Sequence, residues 1–177
     1  TDISGPGDAV PASLDWDLWL GVQTPRPYFA DTYHPQTWRA WYGFGVGEMG
    51  DMGCHHFDIS FDALKLTAPL RVRQLSPITT GPLWGKQRQV ELVFPGNDIT
   101  AGDTVKLTWH DGEIRPDASR IPLPSGVDTL PESGTCWIGE TGTIFKNYRR
   151  GMPVVSPEAK FPADKFPRHF AKQDHYH

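Results

Sequence analysis

The sequence predicts an α+β domain: a predominantly antiparallel open sheet with helices on one face. Three observations lead there. Helical signals are confined to the front of the chain, in Leu14 to Gly21 and again from about Gly50 to Leu66. Beyond Pro69 the apolar period drops from helical spacing to strict alternation. The alternating segments are joined by turns and loops, which favours antiparallel neighbours over helical crossovers. With 18 Gly and 17 Pro, the chain suits short elements and many turns rather than a helical bundle.

The elements follow in order. Residues 1–13 are polar and rich in Gly and Pro, and read as an extended arm. Residues 14–152 form the α+β body. In Leu14-Asp15-Trp16-Asp17-Leu18-Trp19-Leu20-Gly21, Trp16 and Trp19 share a face at i and i+3, and Gly21 is a stop. Pro25 to Pro35 reads as loop, and residues 37–42 lead into a glycine-rich run. The helix after that run carries Phe57, Ala63, Leu64 and Leu66 and ends near Pro69. Residues 70–75, 89–94 and 104–109 alternate as strands, and Asp111-Gly112 makes a turn. Residues 135–139 and 143–145 form another strand pair about the turn Glu140-Thr141-Gly142. Residues 153–177 have no period and read as an irregular tail.

Charge and composition exclude several functions. Lys plus Arg number 17 against 21 Asp plus Glu, a net charge of −4, with no basic stripe, so no nucleic-acid partner is expected. The apolar runs are too short for a membrane span, and no leader of signal-peptide type lies within the chain. Cys54 and Cys136 make no disulfide framework and are expected as buried free thiols. His169, His175 and His177 are too loosely spaced for a metal site and read as a solvated tail.

The chemistry concentrates in Gly43 to Asp58. On a helix, Asp51, His55 and Asp58 stand at i, i+4 and i+7 and share one face. Three readings stand: a solvated polar face, acid–base catalysis with His55 as proton carrier and an acid setting its tautomer, or a metal site. Adjacent helix residues point about 100° apart, so Cys54, His55 and His56 cannot converge on one ion, and no metal site is assigned. Gly45-Val46-Gly47-Glu48-Met49-Gly50 matches a dinucleotide fingerprint, but no apolar strand precedes it and Asp51 follows it. The glycines read instead as a tight turn with close backbone approach. Trp16, Trp19, Trp38, Trp41, Tyr42, Phe44 and Trp84 should be mostly core, and one or two exposed at a cleft would suit a sugar ring. Asp51 and His55 are expected within reach of a hydrogen bond or one water, with His55 opening onto a cleft.

Leu14 to Gly21, then Tyr33-His34-Pro35 with Trp38-Arg39, then Gly50-Asp51-Met52-Gly53-Cys54-His55 with Asp58, resemble the bacterial-type C-terminal domain of the Gfo/Idh/MocA oxidoreductases. Residues 105–109 with Asp111-Gly112, and Gly139 to Ile144, extend the resemblance toward the end of the chain. It implies the fold of the glucose-fructose oxidoreductase C-terminal domain. It implies hydride transfer between NAD or NADP and a hydroxyl or keto carbon of a sugar or polyol. His55 would be the catalytic acid/base and Asp51 its partner acid. Asp58, Trp38 and Arg39 would bind substrate or support those that do. The family's Rossmann domain and its Glu-Lys-Pro lysine have no counterpart in this sequence.

The resemblance therefore implies the substrate-binding half of a two-domain bacterial enzyme, cytoplasmic or periplasmic. The cofactor would be held by the missing Rossmann domain, and this chain alone would bind none. A homo-oligomer through an apolar sheet face is also implied. Two alternatives differ in class: a stand-alone carbohydrate-binding or scaffold domain that lost its redox chemistry, and a cofactor-free lyase or hydrolase using His55 and Asp51.

Overall fold

In a computed structural model, the structure describes residues 3–123, 127, 129–149 and 151–166. His169, His175 and His177 lie outside the described residues. The chain divides into two compact units. One gathers the residues up to Asp58 with Ala68–Phe94 and Lys106–Ile114; the other gathers Ile59–Thr67, Pro95–Val105 and the residues from Arg115 onward.

The first unit opens on an arm in which Asp8 accepts the Ala30 backbone N–H at 2.8 Å. Helix α1, Trp16–Leu20, follows; the side chain of Asp15 caps it by accepting the Leu18 N–H, and it ends at Gly21. Trp16 and Trp19 stack at 5.0 Å, as their spacing requires. Their partner is Tyr33, which the sequence reading leaves in a loop. Tyr33 is 1% exposed, and its ring meets Trp16, Trp19, Trp41 and Phe44 at 4.9 to 5.7 Å. Trp41 is nearly as buried and donates its indole N–H to the Thr32 carbonyl at 3.2 Å. This aromatic core ties down a segment outside the named strands, where Trp41 makes an isolated antiparallel bridge to Leu83. It also fixes the 3-10 turn Thr37–Ala40 just ahead of the main helix.

Helix α2 spans Gly47–Ala63, starting three residues before the glycine pattern predicts. Its inward stripe in this unit is Met49, Gly53, His56 and Phe57, all at least half-buried. His56 and Phe57 both meet the ring of Trp109 edge-on, at 5.7 and 5.5 Å. Trp109 belongs to a three-stranded antiparallel sheet of β1 Arg71–Gln74, β2 Arg88–Pro95 and β3 Thr104–Asp111, in that spatial order. Arg71 pairs with Val93 and Arg73 with Glu91. Period-two alternation sends Val90 and Phe94 to the helix side with Trp109, and all three are buried.

The alternation also decides the other face, and here the structure corrects the expectation of an apolar surface. Glu91 lies on it, buried beneath three cations. Its Oε1 accepts from Arg71 at 3.2 Å and Arg73 at 3.3 Å, and its Oε2 lies 3.5 Å from Lys106. Burial alone would raise the Glu91 carboxyl. The charges of Lys106, Arg73 and Arg71 outweigh it and hold the group below the ordinary glutamate value.

The second unit holds a separate antiparallel sheet of β4 Gly134–Ile138, β5 Thr143–Asn147 and β6 Val154–Ser156. Sequence reading predicts one sheet; the strands form two. It also places the irregular tail from Pro153, yet Val154 and Val155 are β-branched and pair with β5, between Pro153 and Pro157. Thr143 and Phe145 are buried on one face. Trp137 stands on the other and donates its indole N–H to the Ser60 hydroxyl at 3.0 Å. The thiols also differ from the expectation: Cys54 is exposed and Cys136 half-buried, both free. Cys54 lies toward the outer side of α2, about 100° round from Gly53, which explains its exposure.

The Tyr33 hydroxyl is buried and meets no hydrogen-bond partner among the described residues. Tyr33→Phe should therefore hold or raise stability, by up to about 1 kcal/mol. Tyr33→Ala should cost about 3–5 kcal/mol through the cavity it leaves. Urea unfolding of both variants checks the contrast.

Candidate active site

The helical period places the chemistry. At about 100° per residue, Asp51, His55 and Asp58 fall within about 60° of one another, on the side of α2 away from Gly53 and Phe57. Because Phe57 is committed to Trp109, that side must face outward. Asp51 is half-buried, and His55 and Asp58 are exposed.

Trp38 and Arg39 reach the same helix from the 3-10 turn. Arg39 Nε donates to Asp51 Oδ2 at 3.2 Å. The Arg39 guanidinium also lies over the Trp38 ring, 4.5 Å from its centroid. Trp38, Arg39 and Asp51 thus form a connected group, with His55 one turn further along α2 and Asp58 a turn beyond. Side chains of the pair are 44% and 38% exposed, so the ion pair contributes little to stability. Its consequence is positional: Arg39 fixes one oxygen of Asp51 beside the His55 turn.

Two surface depressions lie elsewhere in the described residues. One is lined by Val10 and by Ala12 to Asp17, the other by residues of the Asp98–Ala101 and Gly139–Thr141 loops. Among the described residues no group of three or more His, Cys, Asp or Glu is arranged to hold a metal ion. No helix among them is long and apolar enough to cross a membrane.

The glycine motif is taken up by packing. A Cβ at Gly45 would lie 2.5 Å from the Arg39 carbonyl oxygen. One at Gly47, where φ is 69°, would strike the Arg88 guanidinium and lie 2.9 Å from Trp84. These glycines let the 3-10 turn and the Trp84–Arg88 pair close on the start of α2. A 3-10 turn precedes them where a dinucleotide site has a strand.

Residues 4–94, just over half of the chain, match the family model described as the C-terminal alpha/beta domain of an oxidoreductase family, Gfo/Idh/MocA. The chain belongs to the Gfo/Idh/MocA oxidoreductase family. It is the C-terminal domain of that family, and its α+β architecture agrees. The Gfo/Idh/MocA match takes in Trp38, Arg39, Asp51, His55 and Asp58 and stops at Phe94, so the likeness read from β3 onward lies outside it. No curated protein matches the chain.

Sequence reasoning missed His56 as an inward residue. It weighed His56 only as a metal ligand, although the i+3 spacing from Gly53 and i+7 from Met49 already placed it on the buried stripe. Its pKa is lowered below the ordinary 6.5, first by burial and then by the charge of His55 beside it. Burial lowers that of His110 as well, and its Nδ1 is buried with no hydrogen-bond partner among the described residues. Both histidines bind protons more weakly when folded than unfolded. Their contribution to stability is present above about pH 6.5 and is lost as pH falls through the lowered folded values. The thermal midpoint should drop between about pH 7.5 and about pH 5.5. His56→Phe combined with His110→Leu should flatten that drop, read by calorimetry across the range.

Proposed function

We propose that this chain is the substrate-binding half of an oxidoreductase acting on a hydroxyl or keto carbon of a sugar or polyol. His55 is its acid/base, and NAD or NADP is held outside this chain. The carrying observation is the outward face of α2, where His55 is exposed one turn from a carboxylate that Arg39 orients at 3.2 Å. Family membership supports the oxidoreductase class. The packed glycine turn argues that a nicotinamide cofactor finds no seat on these residues.

This chain's own work is binding and proton transfer. A substrate hydroxyl placed at the exposed imidazole of His55 gives up its proton to a ring nitrogen as the carbon is oxidised. The reverse reaction returns that proton to the carbonyl oxygen. An imidazole suits both directions, because its ordinary pKa lies near neutrality. The Asp51 side chain, a turn before His55, stabilises the imidazolium formed in the forward step. Arg39 orients Asp51, and Trp38 holds Arg39 from its other side. Asp58, a turn beyond His55, accepts from a second hydroxyl of a polyhydroxylated substrate in this reading.

The test uses the full-length parent chain with a panel of sugars and polyols, followed by reduced-nicotinamide absorbance. His55→Asn should lower kcat by about 10²–10⁴ while leaving cofactor affinity unchanged. Asp51→Asn should move the acidic limb of the pH profile for oxidation by removing the charge beside the imidazole. Full turnover in His55→Asn would remove the acid/base assignment. A large loss of cofactor affinity would place the nucleotide against this helix instead.

A further inference from the structure

Strand β1 is the outer strand of the first sheet, and all four of its residues are exposed. It pairs with β2, and among the described residues no strand pairs with its other edge. Which groups that edge presents follows from the ladder. The Leu75 N–H donates to the Gln89 carbonyl at 2.7 Å, and the register sets Gln74 opposite Val90 and Arg73 opposite Glu91. Hydrogen-bonded and non-bonded pairs alternate in an antiparallel ladder. Arg71 and Arg73 therefore bond toward β2, and the backbone N–H and C=O groups of Val72 and Gln74 point away from the sheet.

The side chains along this edge have a definite pattern. Arg71 and Arg73 stand on the face that also carries Lys106, and their side chains are 60%, 57% and 65% exposed. Glu91 is the one acid these three share, so the local charge is strongly positive. On the opposite face Val72 is 57% exposed. Outward backbone groups, cations on one face and the exposed Val72 on the other make a template for one kind of guest.

We propose that the outer edge of β1 takes an acidic, extended polypeptide segment of another protein as a fourth strand. The guest alternates carboxylates, which meet Arg71, Arg73 and Lys106, with apolar residues, which cover Val72. Main-chain hydrogen bonds to Val72 and Gln74 supply the register. A second copy of β1 is a poor guest, because pairing it would line up four arginines along one edge. A nucleic acid lacks the amide ladder that the edge offers, and the chain as a whole carries a net charge of −4.

The probe is a short fluorescent peptide alternating glutamate and valine, titrated into the protein and followed by anisotropy. A scrambled peptide of the same composition and a single-stranded oligonucleotide serve as comparisons. The alternating peptide should bind, with affinity falling as salt rises. Arg71→Gln with Arg73→Gln should weaken it by about tenfold or more. Val72→Pro removes an outward N–H, a substitution an edge strand tolerates, and should abolish binding while circular dichroism stays unchanged. Absence of binding to any probe would overturn the proposal and leave the arginines as a guard against edge pairing. Equal binding of the scrambled peptide or the oligonucleotide would overturn it too. So would binding that survives both variants, or an edge occupied by a second copy in sedimentation.

Discussion

The contact on which this structure turns is the ring of Trp109 with His56 and Phe57. A helix has one degree of freedom about its axis, and these two rings fix it. With the inward stripe committed to the sheet, residues about 140° to 220° away are forced to the outside. Asp51, His55 and Asp58 are those residues. Their shared outward placement is thus a consequence of core packing, set by an aromatic cluster beneath α2. The Tyr33 cluster plays the same part for the 3-10 turn, since it holds Trp38 and Arg39 where Arg39 reaches Asp51.

Two carboxylates of the first unit illustrate opposite uses of charge. Glu91 is buried, and three cations outweigh the desolvation that burial imposes. Removing those cations would leave an uncompensated buried charge, the costly case. Asp51 is half-exposed with one cation at 3.2 Å, and water screens that pair. The first arrangement stabilises a sheet face; the second leaves a carboxylate accessible and oriented. Only the second leaves room for a substrate group to compete.

What the sequence made legible follows the range of the interactions involved. The helix at the glycine run, the shared face of Asp51, His55 and Asp58, and the strand alternation all arise from spacings within a few residues. The helix began earlier than predicted because Gly47 at its start accommodates Arg88 and Trp84, which are distant in sequence. Tyr33 gave no periodic signal, since its burial comes from rings on α1 and from Trp41 and Phe44. The single predicted sheet became two because strand pairing is decided by contacts that alternation does not encode. The charged sheet face was readable in part: an acid amid the apolar run Val90-Glu91-Leu92-Val93, with Arg-x-Arg on the preceding strand, marks a paired carboxylate. The partner reaching Asp51 from Arg39 was not readable, because its twelve-residue separation crosses the glycine turn.

The account's central claim is that the His55 imidazole itself carries the substrate's proton. Chemical rescue addresses it most directly. In the full-length parent chain, His55→Ala should lose turnover, and added free imidazole should restore part of it, with a rate that follows the concentration of the neutral base. Turnover in His55→Ala that equals the parent's, or a loss to which imidazole is indifferent while a structural check remains native, would contradict the claim and leave His55 a solvated residue on the outer face of α2.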